Sequence, residues 1–128
     1  MFERIHFDTI AATDVERARD FYRDKLGFTV ERDSPYGGDR WVFMQVGDSK
    51  TLLHFDKQDS VPRQEAPALV LVTADVDQAC ATLQERGVAI VQGPADAPWE
   101  PGTRWAMIND SEGNLVLLQT VREDSGNG

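Results

Sequence analysis

The sequence predicts an α+β chain built from two copies of one strand–helix–strand–strand–strand (βαβββ) unit. Three observations predict it. Thr13-Asp14-Val15-Glu16-Arg17-Ala18 returns as Ala74-Asp75-Val76-Asp77-Gln78-Ala79. Leu26-Gly27-Phe28 returns as Arg86-Gly87-Val88. The offset between the copies is about sixty residues, close to half of the 128-residue chain, and internal repetition at that scale dictates architecture before any residue-level argument. Two modules of one fold follow, with a candidate site between them.

The first module opens on an apolar strand, Arg4 to Ala11. Thr13 or Asp14 caps the first helix; with Thr13 as cap, Glu16 completes a capping box. Val15, Ala18, Phe21 or Tyr22, and Leu26 form the helix's apolar stripe, and Gly27 ends it. Phe28 to Asp33 is the next strand and Pro35-Tyr36-Gly37-Gly38 a loop. Arg40–Val46 and Thr51–Asp56 make a hairpin around Gly47-Asp48-Ser49. Lys57 to Pro67 is polar, with Pro62 and Pro67, and reads as the linker. In the second module Ala68–Val72 is a strand, and Asp75 caps a helix with Gln78 three residues on. Val88–Gln92 follows, then a proline-rich loop over residues 93–102. Arg104–Asn109 and Leu115–Thr120 form the last hairpin. The expected divisions are residues 1–57 for the first module, 58–66 for the linker, 67–120 for the second module and 121–128 for a frayed tail. Apolar residues fall on both faces of the hairpin strands: Trp41 and Phe43 against Val42 and Met44, Trp105 and Met107 against Ala106 and Ile108. One face covers the helix. The other needs different cover.

Composition narrows the function classes. Net charge is −9, which argues against a nucleic-acid partner because phosphate binding needs a basic surface. An acidic surface suits solubility or a cationic small ligand. No apolar run approaches the roughly 18 residues of a membrane span. Met1-Phe2-Glu3-Arg4 lacks a signal-peptide pattern, so a cytoplasmic protein is expected. Cys80 is the single cysteine; no intrachain disulfide or cysteine-based metal cluster is possible. Its spacing with Val76, Ala79 and Leu83 places it on the buried helix stripe.

Asp14-Val15-Glu16-Arg17-Ala18-Arg19-Asp20-Phe21-Tyr22 followed by Leu26-Gly27-Phe28 resembles the first helix of the vicinal oxygen chelate superfamily, which includes glyoxalase I, extradiol dioxygenases, and fosfomycin and bleomycin resistance proteins. Asp75-Val76-Asp77 through Gly87-Val88 resembles its second helix. Asn109-Asp110-Ser111-Glu112-Gly113-Asn114-Leu115 resembles its Asp-Pro-x-Gly-Asn turn, with Ser111 in place of proline. The resemblance implies a glyoxalase/bleomycin-resistance-like fold of paired βαβββ modules with cupped mixed sheets. It does not by itself imply an activity, because the superfamily hosts many chemistries. In its enzymes the cup holds a divalent metal.

The resemblance also locates the metal-ligand positions, and here they are apolar. Seven residues before each helix-opening Asp stand Phe7 and Ala68. Four residues after the turn glycine stands Leu117. None offers a lone pair to a metal, so neither metal nor cofactor is expected. His6 and Asp8 lie one residue from Phe7, and a one-residue step in a strand points a side chain to the opposite face. His54 lies near a further ligand position of the relatives and is the one credible donor.

Trp41 and Trp105 hold matching places in the two modules, and Trp99 lies in the proline-rich loop. Together with Phe7, His54 and Leu117 they make the candidate ligand-binding set, an aromatic-walled pocket for a small cationic or aromatic molecule. The leading expectation is a metal-free, bleomycin-resistance-like binding protein. The alternative is a lyase or dioxygenase-type enzyme of the same superfamily with a rearranged site, and no catalytic residue is assigned. A homodimer is expected, an isologous contact covering the second apolar face.

Overall fold

A computed structural model of the chain describes residues 1–121; the tail expected beyond Val121 lies outside the described residues. The elements run β1 (Phe7–Ala12), α1 (Val15–Asp24), β2 (Thr29–Tyr36), β3 (Asp39–Gln45), β4 (Leu52–Lys57), β5 (Leu69–Val72), α2 (Val76–Glu85), β6 (Ile90–Asp96), β7 (Arg104–Asn109) and β8 (Leu115–Gln119). The βαβββ order appears twice. Each copy forms a four-stranded mixed sheet, β1-β4-β3-β2 and β5-β8-β7-β6, with the first and last strands of each copy parallel.

The chain divides into two compact units. The first is Met1–Gln64 together with Asp110–Asn114; the second is Glu65–Asn109 with the chain from Leu115 onward.

In the first unit, Asp14 caps α1, its carboxylate accepting from the Arg17 N–H. Thr13 is therefore not the cap, and the Thr13–Glu16 capping box does not form; the Thr13 N–H and hydroxyl bond Glu112 instead. Val15, Ala18 and Tyr22 are the buried stripe of α1. Tyr22 packs on Phe28 and Phe55, with ring centroids 5.3 and 5.4 Å away. Val42, Met44, Leu53 and Phe55 are buried with it as the core. Pro35 and Tyr36 belong to β2 rather than to a loop. They pair with Arg40 and Asp39 across a tight Gly37-Gly38 turn. Both glycines have positive φ (56° and 81°), the conformation that two-residue hairpin turns require. Proline is tolerated because β2 is an edge strand.

The residues Asp110–Asn114 tie this unit together. Asp110 accepts from the Tyr22 hydroxyl at 2.7 Å and from the Asn114 and Glu112 N–H groups. The Asn114 side chain donates to the Ala11 carbonyl at 2.7 Å. The fully buried Glu112 carboxylate receives the Thr13 and Asp14 N–H groups, the Arg17 guanidinium and the Ser111 hydroxyl. Burial pushes its pKa up, but the Arg17, Asp14 and Ser111 donors outweigh that and hold it down at about 2.

In the second unit, Asp75 caps α2, accepting from the Gln78 N–H, and Val76, Cys80 and Leu83 form its buried stripe. Cys80 packs with Val76, Ala106 and Ile90, and burial raises its thiol pKa. Strand β6 reaches Asp96, so the expected loop begins later, at Ala97. The strand crosses Gly93 and Pro94, again on a sheet edge.

Candidate functional site

Strand alternation sorts each sheet into a helix face and an opposite face. In the first unit Val42, Met44, Leu53 and Phe55 serve the helix side. Trp41, Phe43 and His54 therefore point the other way, with Phe43 and His54 directly paired across strands. Phe7 joins them from β1. Its ring lies 5.0 Å from Phe43, 5.4 Å from His54 and 6.3 Å from Trp41. The Trp41 and His54 rings are 4.2 Å apart at 38°, a tilted stack. Phe7, Trp41 and His54 are thus brought together on one sheet face.

Sequence reasoning missed Phe43, which completes this cluster. The available signal was its position two residues from Trp41. It also misplaced His6. That residue precedes β1, so strand alternation does not govern it, and its ring packs 5.2 Å from Phe7 and 5.4 Å from Phe43 on the Phe7 side. Tyr36, a strand residue instead of the loop residue expected, packs its ring on Trp41 at 5.4 Å. A cleft of about 440 Å³ at the β2–β3 turn takes Trp41 and His54 from this cluster, with Tyr36, Asp39, Arg40 and Lys57, and reaches Val15 and Phe55 of the helix side; Phe7 and Phe43 do not line it. His54 is 8 % exposed, and its Nδ1 lies 3.0 Å from the Val42 carbonyl. A carbonyl only accepts, so Nδ1 carries a proton and donates to it; in the neutral ring the lone pair is on Nε2. No protein partner meets Nε2 among the described residues.

In the second unit Ala106, Ile108, Val116 and Leu118 are the buried helix-side residues. Trp105, Met107 and Leu117 take the opposite face, with Met107 and Leu117 paired. Trp99, 52 % exposed, stands with its ring 5.7 Å from that of Trp105. Two buried polar atoms here, Trp105 Nε1 and Thr103 Oγ1, have no hydrogen-bond partner among the described residues. A buried donor left unpaired costs roughly 1–3 kcal/mol, so such atoms call for an explanation.

The apolar side chains of Phe7, Ala68 and Leu117 offer no electron pair, and the ring cluster carries two histidines, His6 and His54. Among the described residues no group of three or more His, Cys, Asp or Glu side chains is placed to hold a metal ion. The donor set does not fit the divalent metal of the superfamily's enzymes.

Comparison with known proteins bears on this architecture. The family model described as the glyoxalase/bleomycin resistance protein/dioxygenase superfamily matches residues 4–118. The chain belongs to that superfamily. Among solved structures it is similar to TnmS3, an antibiotic binding protein from Streptomyces sp. CB03234, at 34% identity and a TM-score of 0.81, covering 94% of this chain and 98% of that one. A glyoxalase/bleomycin resistance protein from the same organism is 35% identical over 90% of this chain and 98% of its own, with a TM-score of 0.72. A curated relative, uncharacterized protein YurT of Bacillus subtilis (strain 168), is 27% identical over 126 residues, 90% of this chain and 97% of its own. No helix among the described residues is long and apolar enough to cross a membrane.

Proposed function

We propose that this protein binds a small aromatic or cationic molecule without a metal, on the sheet faces turned away from its helices. The observation that carries the reading is the ring cluster of Phe7, Trp41, Phe43 and His54 on one sheet face, with the apolar Phe7 at a position where the superfamily's enzymes carry a polar ligand. Aromatic walls with few polar groups recognise a planar or amphipathic guest. A net charge of −9 adds attraction for a cation. Trp99, Trp105 and Leu117 supply the corresponding surface in the second unit. The similarity to an antibiotic binding protein supports a binding role for this chain and suggests a natural-product guest.

The test is a titration of planar aromatic and cationic compounds followed by tryptophan fluorescence and calorimetry. A saturable fluorescence change is expected. Metal analysis of freshly purified protein should find no stoichiometric ion; about one tightly bound Ni, Zn, Mn or Fe per chain, lost in His54→Ala, overturns the metal-free reading.

A second reading, a lyase- or dioxygenase-type activity at a rearranged site, has one observation in its favour: the lone pair on His54 Nε2. Turnover abolished by His54→Gln would establish it. We further propose a cytoplasmic homodimer. Val70 and Val72, exposed on the face of β5 that carries Leu117, are apolar surface that a second copy would cover. A monomeric mass by light scattering at micromolar concentration sinks that part.

A further inference from the structure

Arg17, Arg19, Arg23, Arg40 and Arg104 each hold a carboxylate. Arg4 and Lys50 form no ion pair among the described residues, in a chain with 22 Asp and Glu against 13 Lys and Arg. Both line a second cleft of the first unit, of about 460 Å³, together with His6, Glu31, Gln45, Ser49 and Leu52. This cleft adjoins the ring cluster on the same sheet face. Gln45 follows Phe43 by two residues on β3, and Leu52 precedes His54 by two on β4, so both share the rings' face about 7 Å further along the strands. His6 belongs to both places: its ring packs on Phe7 and Phe43, and it lines the cleft.

Backbone contacts hold the two cations in place. Arg4 Nη1 donates to the Lys50 carbonyl at 3.2 Å. The Thr51 hydroxyl donates to the Ile5 carbonyl at 3.0 Å, and the Leu52 N–H to the His6 carbonyl at 2.9 Å. Gln45 Nε2 donates to the Ser49 carbonyl at 3.1 Å. The chain from Arg4 to His6 is thus laid along Lys50–Leu52, which sets Arg4 beside Lys50. The Nε–Nη2 edge of Arg4, the fork that takes a carboxylate through two parallel hydrogen bonds, has no partner among the described residues. Glu31 is the one carboxylate of the lining, so Arg4 and Lys50 leave the cleft positive within a chain of net charge −9. Exposed charges more than about 8 Å away are largely screened at physiological salt, so an anion in the cleft feels Arg4 and Lys50 before the rest of the surface.

We infer that this cleft receives the carboxylate of an aromatic acid whose ring lies against His6 and Phe7. This rests on the small-molecule reading, takes its aromatic branch and narrows the guest to an aromatic carboxylate. The Arg4 fork grips the two oxygens, Lys50 adds a point charge, and a ring N–H of His6 is a further donor at the boundary between charge and ring. A neutral aromatic of the same shape gains the ring contact alone, and an aromatic cation meets like charge.

The experiment titrates the protein by calorimetry with 2-naphthoate, with 2-naphthamide (the same ring, neutral) and with 2-naphthylmethylammonium. 2-Naphthoate is expected to bind about tenfold more tightly than 2-naphthamide, the low end for a charge-assisted hydrogen bond in a cleft open to water. That ratio should fall towards one near 1 M salt, where the screening length is about 3 Å. Arg4→Gln and Lys50→Gln should each reduce the ratio, measured within each variant, and the double variant should abolish it. Arg63→Gln removes the same charge from an exposed site outside the cleft and should leave the ratio as it was. In 15N-labelled protein the Arg4 Nε–H signal should move with 2-naphthoate and stay in place with 2-naphthamide. Equal affinities for acid and amide overturn the inference while leaving the binding function standing. So does a ratio that survives the double variant, or one that falls equally in Arg63→Gln, which would make it an effect of overall charge. Tightest binding of the ammonium probe overturns it as well. No binding of any of the three sinks both this inference and the reading beneath it.

Discussion

The two units share strand order, helix caps and sheet-face pattern, yet they treat their buried polar atoms in opposite ways. In the first, Glu112, Asp110, Asn114 and His54 are all buried and all hydrogen-bonded. In the second, Thr103 Oγ1 and Trp105 Nε1 are buried without partners among the described residues. Repeated topology decides where strands run and which face meets the helix. It does not decide whether polar groups find one another. The first unit uses them to close itself, and the second leaves two of them without a partner among the described residues. A superfamily that hosts many chemistries on one fold can vary pairing in this way without disturbing the apolar pattern.

The largest effect should come from breaking the closed set. Glu112→Ala removes the acceptor of two backbone N–H groups and of Arg17. Loss of one partner of a buried pair costs about 3–5 kcal/mol; Arg17, with a side chain 53% exposed, can rehydrate, so the lower end is expected in a urea titration. The pH dependence has a definite sign. The folded pKa of about 2 lies below the ordinary 4.5. The Glu112 contribution is therefore fully present above about pH 4.5 and is lost as pH falls towards 2. That loss should amount to about 1–3 kcal/mol after allowance for the exposed Arg17, and it should be absent in Glu112→Ala. A wild-type stability that stays flat from pH 5 to 3 would break the contrast between the units.

These partners mark the limit of what the sequence discloses. The Asp-Val helix openings and the Leu-Gly-Phe and Arg-Gly-Val closings are local, so the cap at Asp75, the choice of Thr13 or Asp14 for the first helix, and the stripes of Val15, Ala18, Val76 and Cys80 were legible. Pro35 and Pro94 misled because a proline ends a central strand but not an edge strand, and edge position is a property of the finished sheet. Trp41 and Trp105 could be placed on a face by alternation and Phe7 by the family resemblance; His6 could not, because it precedes the strand. Tyr22 and Asp110 are 88 residues apart, and no periodicity announces their hydrogen bond. The orphaned Thr103 and Trp105 atoms are still less visible, since an unmade bond leaves no trace in sequence.

Glycine positions sharpen the comparison at the next scale. In the first unit Gly38 has φ of 81° and open space where a Cβ would stand, so Gly38→Ala meets backbone strain alone, roughly 1 kcal/mol. In the second, Gly93 has φ of 78°, and a Cβ there would lie 2.7 Å from the Trp105 carbonyl oxygen, a backbone atom that cannot swing away. Gly93→Ala should cost more, about 2–3 kcal/mol. It should also displace Trp105 and change its fluorescence, whereas Gly38→Ala leaves that signal alone.

Ring truncation asks whether the two faces act alike towards a guest. Trp41→Ala and Trp105→Ala should each weaken binding of an aromatic ligand by about 1–3 kcal/mol, the scale of a buried aromatic contact, read by calorimetry. If only one substitution matters for a given ligand, that unit holds it, and the other face is free for a different role.

The smallest effect is expected from the charged contact between helix and sheet in the second unit. Arg104 spans Asp77 at 2.8 Å and Asp96 at 3.2 Å, and it lowers the Asp77 pKa by direct hydrogen bonding. By distance this pair matches Arg17–Glu112, which also measures 2.8 Å. By burial it does not: the Asp77 side chain is 55% exposed and that of Glu112 is 0%. Water competes for Asp77 in the folded protein and receives it without penalty when Arg104 is lost. Asp77→Asn should therefore shift the urea midpoint too little to resolve, and any shift should vanish near 1 M salt, where the screening length falls to about 3 Å. The Glu112→Ala loss should persist at the same salt, because the atoms around that carboxylate exclude ions. Comparable, salt-resistant losses from both substitutions would mean that equal distance outweighs unequal burial, and the closed character assigned to the first unit would no longer distinguish it from the second.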